Sequence, residues 1–121
     1  MDHAAMQAWL DRYIAAWRSG EPSDIGALFS ADAAYSYGPY REPLRGRDAI
    51  VADWTSQPDA PGSWDAEYRP LAIEGETAVA IGESRYRDGR TFSNIFVCRF
   101  DAGGACTEFR EWFMEKPRAK G

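Results

Sequence analysis

The stretch Thr91–Glu115, TFSNIFVCRF-DAGG-ACTEFREWFME, decides the fold. Two runs rich in aromatic and β-branched residues flank a short segment holding Asp101, Gly103 and Gly104. This is the pattern of two long antiparallel strands joined by a tight turn. A turn centred on Ala102 and Gly103 sets Asn94 opposite Glu111, Phe96 opposite Phe109 and Phe92 opposite Phe113. Side chains alternate faces along a strand, so these six share one face. That face is aromatic except for an Asn beside a Glu. An ionised carboxylate among aromatics is costly to bury, so Glu111 is either paired or used.

Two earlier turn signals extend the sheet. Asp88-Gly89 and Glu74-Gly75 separate strands Trp64–Ile73 and Thr77–Arg87. If both are two-residue turns, three rows cross four strands on the inner face. They are Trp64, Arg85, Phe92, Phe113; Ala66, Glu83, Asn94, Glu111; and Tyr68, Ile81, Phe96, Phe109. Two Glu, one Arg and one Asn then converge within an aromatic chamber. A slip of one residue in strand 77–87 turns Ser84 and Tyr86 inward instead and dissolves the acid–Arg–acid cluster. The other face carries polar Asp65, Glu67 and Arg69, but also Ile95, Val97, Trp112 and Met114. An apolar outer face suits a second copy of the chain, with a C-terminal tail folding over it as the alternative.

Upstream, Asp2 caps a helix running to Ser19, with Met6, Trp9, Leu10, Tyr13, Ile14 and Trp17 at helical spacing. Gly20 stops it. Pro22 opens a short second helix with Ile25, Leu28 and Phe29. Ala33–Tyr37 is a short strand, 38–46 a loop, and Asp48–Thr55 a third helix with Ile50, Val51 and Trp54 buried and Asp53 on its solvated face. Helices segregated from strands predict an α+β fold, with three N-terminal helices packed on one face of a curved, mostly antiparallel sheet in the order α-α-β-α-β-β-β-β.

A chain of 121 residues is expected to form a single domain, 1–121, with 116–121 a loose tail. Nineteen acidic against 14 basic side chains give a net charge of −5, which argues against nucleic-acid and anionic-membrane surfaces. No long apolar run and no signal peptide are seen, so a cytoplasmic location is expected. Cys98 and Cys106 are read as reduced thiols, not set face to face by the register above. A lone His3 near the N-terminus speaks against histidine catalysis and a His-rich metal site.

The chain resembles the nuclear transport factor 2-like superfamily, in particular its SnoaL-like branch, whose relatives include ketosteroid isomerase and limonene epoxide hydrolase. The resemblance spans nearly the whole chain. It rests on Tyr13-Ile14-Ala15-Ala16-Trp17, Leu28-Phe29-Ser30-Ala31-Asp32, Glu42-Pro43-Leu44-Arg45-Gly46-Arg47-Asp48-Ala49-Ile50, Arg99-Phe100-Asp101 and Phe113-Met114-Glu115-Lys116. It implies a cone-shaped α+β barrel, a deep pocket closed by helices, and a homodimer through the outer sheet face. Tyr13 looks like the isomerase's oxyanion-binding tyrosine. The position of that enzyme's base falls at Tyr37, and that of its second oxyanion donor at Phe96, so steroid isomerisation by that route is not expected. Glu111 falls at the position of one acid of the epoxide hydrolase. Glu83 and Arg85 occupy the positions of its Arg and other acid in reversed order. Tyr35 matches its tyrosine, and Tyr37 replaces its asparagine.

The candidate catalytic residues are therefore Glu111, Glu83, Arg85 and Tyr13. Trp17, Tyr35, Tyr37, Trp54, Trp64, Asn94, Phe96, Phe109 and Phe113 are candidates for lining a pocket for a small hydrophobic molecule. An Arg that keeps one carboxylate ionised while burial raises the pKa of another supports acid/base chemistry without metal or organic cofactor. The alternatives are a structural ion pair in a non-catalytic ligand-binding protein, and an interaction module whose pocket is filled by its own side chains.

Overall fold

The computed structural model describes residues 1–117. Of the segment expected to be a loose tail, residues 118–121 lie outside the described residues, and the Lys116 N–H donates to the carbonyl of Thr91 at 2.7 Å. Helix α1 covers His3–Ser19. Asp2 caps it by accepting the Ala5 N–H at 2.8 Å, and Gly20 ends it in the left-handed region at φ 64°. Helix α2, Pro22–Gly26, begins on its proline. Leu28 and Phe29 leave that helix, and Phe29 opens strand β1, Phe29–Ser36. A two-residue strand β2, Leu44–Arg45, lies in the segment expected to be loop. Helix α3 is Arg47–Ser56. The long strands are β3 (Trp64–Glu74), β4 (Thr77–Tyr86), β5 (Thr91–Phe100) and β6 (Cys106–Glu115).

The six strands form one sheet in the order β2-β1-β6-β5-β4-β3. β1 runs parallel to β6, and every other pairing is antiparallel. The α+β class and the helical layer on a mostly antiparallel sheet are as expected. So is the cone, whose sheet stays open and ends on β2 and β3. Helix α1 lays Met6, Trp9, Leu10, Tyr13 and Ala16 onto the inner sheet face, where Phe29, Tyr35, Phe96, Phe100 and Phe109 are buried with them. The Trp9 indole N–H is satisfied by the Leu28 carbonyl at 3.1 Å.

The registers differ from expectation at each turn. Asp101–Ala105 is a longer connection than a two-residue turn, closed by the Asp101 N–H on the Ala105 carbonyl and by the Asp101 carboxylate accepting from Gly103 and Ala105. Asn94 therefore pairs with Phe113 and Phe96 with Glu111. This is a shift of two, which leaves the same side chains inside. The Asp88-Gly89 turn has three residues, with Gly89 at φ 100° and Tyr86 pairing with Arg90. The odd count shifts β4 by one, so Gly82 pairs with Asn94 and Ser84 with Phe92. The next turn is centred on Gly75 and Glu76, and an irregularity between Pro70 and Ala72 brings β3 back into step. Trp64, Ala66 and Tyr68 remain buried.

The one-residue shift decides the fate of two candidate residues. Glu83 and Arg85 point to the outer face. There Arg85 meets Glu83 at 3.0 Å, Asp65 at 3.5 Å and Glu67 at 3.6 Å. Ser84 and Tyr86 take their inward places, and the acid–Arg–acid cluster does not exist. Cys98 and Cys106 are both buried free thiols and, as expected, are not set face to face: Cys98 lies opposite Phe109 and Cys106 opposite Phe100, and the Cys106 thiol donates to the Glu108 carbonyl at 3.3 Å.

Candidate functional site

A cavity of about 460 Å3 opens between the end of α1, the end of β1, α3 with the loop after it, and the inner face of β3–β6. Each wall follows from a local rule. Tyr13, Ala16 and Trp17 recur at helical spacing on the sheet-facing side of α1. Tyr35 is an inward position near the end of β1, and Tyr37 follows on the same side just past the strand. Ser84, Phe92, Asn94, Glu111 and Phe113 are the inward positions of β4, β5 and β6.

Glu111 sits at the inner end. Burial raises its carboxyl pKa to about 7, and a hydrogen bond from the Asn94 amide (Nδ2 to Oε2, 2.9 Å) works in the opposite direction. Asn94 in turn accepts from the Ser84 hydroxyl at 3.0 Å. Tyr13 and Tyr35 face the same end, their hydroxyls 3.1 Å apart. Burial and the nearby Glu111 push both phenols well above their usual range, so both are neutral donors. One bond between them uses one hydroxyl proton and leaves the other for an acceptor in the cavity. Tyr68 and Tyr86 also feel the Glu111 charge, and burial pushes their phenols up as well.

The mouth is more polar. Tyr37 donates to the Asp53 carboxylate in a short hydrogen bond, and burial with that bond raises the Tyr37 pKa. Trp17 stacks on Trp64 (ring centroids 3.4 Å apart) and donates its indole N–H to Asp59 at 2.9 Å. Arg41 and Asp53 also line the cavity. Asp53, expected on a solvated helix face, is instead a wall residue. It was missed because the helical period places it only relative to its own helix.

The structure thus brings Glu111, Tyr13, Trp17, Tyr35, Tyr37, Trp54, Asn94 and Phe113 onto one cavity. Phe113 stands half-exposed at its edge. Trp64 lies behind Trp17, and Phe96 and Phe109 are sealed in the core rather than on the cavity surface. Phe109 supports the site from beneath, stacked on Tyr35 at 4.5 Å and Tyr13 at 5.6 Å. Glu83 and Arg85 are outside. Tyr68 was placed inward by the sequence without a role, and Ser84 and Tyr86 were visible there only as the consequence of a slipped register. Arg41 and Asp59 sit in loops and carried no periodic signal. Among the described residues, no group of three or more His, Cys, Asp or Glu could hold a metal ion, and no helix is long and apolar enough to cross a membrane.

Residues 10–109 match the family model of the SnoaL-like domain. Solved structures similar to this chain share its fold at low identity. A nuclear transport factor 2-like protein of unknown function from Burkholderia xenovorans superposes with a TM-score of 0.75 at 19% identity, covering 98% of this chain and 89% of that one. A Kribbella flavida protein assigned by inference as a ketosteroid isomerase gives 0.74 at 17% identity, covering 99% and 85%. A further nuclear transport factor 2-like protein of unknown function, from Cytophaga hutchinsonii, gives 0.67 at 13%, covering 89% and 88%.

Proposed function

The chain belongs to the SnoaL-like domain family, and from that premise we propose that its cavity takes up a small, largely apolar molecule on which Glu111 moves a proton. The observation that carries this is the carboxyl of Glu111 itself. It stands on the wall of an aromatic cavity with a pKa raised by burial to about 7, so near neutral pH it is divided between acid and base. Asn94 occupies Oε2 and leaves Oε1 for the bound molecule. The Tyr13–Tyr35 hydroxyl pair supplies a neutral donor for an oxygen that gains charge as the proton moves. Isomerisation, dehydration and epoxide opening are the reaction types this set serves. A cavity of about 460 Å3 accepts a molecule of modest size, and its aromatic walls select for apolar surface.

The test is a thermal-shift screen of apolar carbonyl compounds, hydroxy compounds and epoxides against the native protein, followed by chemical analysis of each stabilising compound. Glu111→Gln is expected to keep the melting shift with the best compound and to lose turnover by at least about a hundredfold. Normal turnover in that variant removes Glu111 from the chemistry. Stabilising compounds that all come back unchanged from the native protein leave a binding protein without catalysis.

A homodimer through the outer sheet face belongs to the same proposal. Ile95, Trp112 and Met114 stand exposed there, with Val97 beside them.

A further inference from the structure

We propose that Ser84 is a positioning residue for Glu111, holding the Asn94 amide nitrogen on Oε2 so that a proton exchanged with a bound molecule is confined to Oε1. The inference rests on the acid/base role of Glu111 and concerns how that carboxyl is set.

Ser84 and Asn94 are the buried polar residues among those described, each 4% exposed. They lie on adjacent strands, Ser84 opposite Phe92 and Asn94 opposite Phe113, while Glu111 is opposite Phe96. The three polar side chains therefore meet along a diagonal of the inner face, within reach of each other across neighbouring strands. An ionised carboxylate only accepts, so it draws the nitrogen of Asn94 and turns the amide oxygen to Ser84. That oxygen takes the one hydroxyl proton Ser84 has, at 3.0 Å. Donors run in one direction, from Ser84 through Asn94 to Oε2 of Glu111. Bonds aligned in this way polarise one another and strengthen the last of them.

The other groups facing Glu111 do not share its titration. Tyr13 comes from α1, Tyr35 from β1, Tyr37 from the loop after it, Tyr68 from β3 and Tyr86 from β4, all phenols raised by burial. Asp53 and Arg41 act on Tyr37 at the mouth.

The experiment is a pH titration of the protonated-carboxyl infrared band of the full-length protein, with Glu111→Gln identifying the Glu111 component. Asn94→Leu is expected to raise the midpoint by about one pH unit, because it removes a donor to the charged form. Ser84→Ala is expected to raise it by about half a unit, and Ser84→Thr to restore it. A buried serine of purely structural use would change the melting temperature and leave the midpoint where it is. If Asn94→Leu moves the midpoint and Ser84→Ala does not, the positioning role is overturned. If Glu111→Gln removes no band titrating near neutrality, what fails is the acid/base role of Glu111 itself.

Discussion

At the scale of single residues, Glu111 is placed where its charge costs the fold something. Its carboxyl titrates near pH 7 in the native protein against 4.5 for an unhindered glutamate. A carboxyl with a raised native pKa binds its proton more tightly folded than unfolded. Stability is therefore unaffected below about pH 4.5, declines as pH rises towards 7, and carries the full penalty above it, about 3 kcal/mol. Glu111→Gln removes the charge and keeps the shape. It is expected to be more stable than the native protein at pH 8 by up to that amount and equal to it at pH 4.5. Denaturant unfolding at the two pH values measures the difference, and parallel curves would show that burial does not hold the proton. Tyr13→Phe tests the neighbouring pair. It strands the Tyr35 hydroxyl in the core, with an expected loss of about 1 kcal/mol. Binding of an oxygen-bearing ligand should weaken about tenfold in calorimetry, whereas an oxygen-free analogue of similar shape should bind unchanged.

Among the elements, β4 governs the site, and one glycine governs β4. A Cβ at Gly82 would lie 1.9 Å from the Glu67 carbonyl oxygen and 2.8 Å from the Tyr68 Cα, both backbone atoms of β3. Gly82→Ala must push the two strands apart, and a loss of about 3 kcal/mol in denaturant unfolding is expected. A loss below about 0.5 kcal/mol would mean that β3 yields freely there. The same strand marks how far the sequence could be read. Which side of β5 and β6 faces inward was legible, because Asn94, Phe96, Phe109 and Glu111 alternate with outward residues. A turn misjudged by two residues preserves that alternation. The facing of Glu83 and Arg85 was not legible. Asp88-Gly89 suits a two-residue turn and equally a three-residue one ending on a left-handed glycine, and one residue of difference inverts the strand. Helix α1 was legible to its ends because Asp2 and Gly20 are themselves the caps. Asp53 was not, because its partner Tyr37 lies on another element, 16 residues away.

For the whole molecule, the open sheet leaves an apolar surface on the side away from the helices. Ile95 is 42% exposed, Trp112 40% and Met114 75%. Ile95 lies directly opposite Trp112, with Ile81 on its other side, so the apolar side chains form a continuous row across β4, β5 and β6. Polar groups frame the row. Arg110 pairs with Glu108 at one end, and Arg85 gathers Asp65, Glu67 and Glu83 at the other. An apolar strip with a charged rim is the anatomy of a self-complementary interface. A two-fold axis through such a row would set it against its own copy, as the proposed homodimer requires. The same strands carry Asn94 and Glu111 on their inner face, so a dimer would hold β5 and β6 rigid from behind the site. Trp112→Arg places a charge at the centre of the strip without touching the cavity. In analytical ultracentrifugation at micromolar concentration, the native chain is expected to sediment as a dimer and Trp112→Arg as a monomer, with unfolding of the variant becoming independent of concentration. A native chain that sediments as a monomer throughout that range would show that the strip is not a self-association surface.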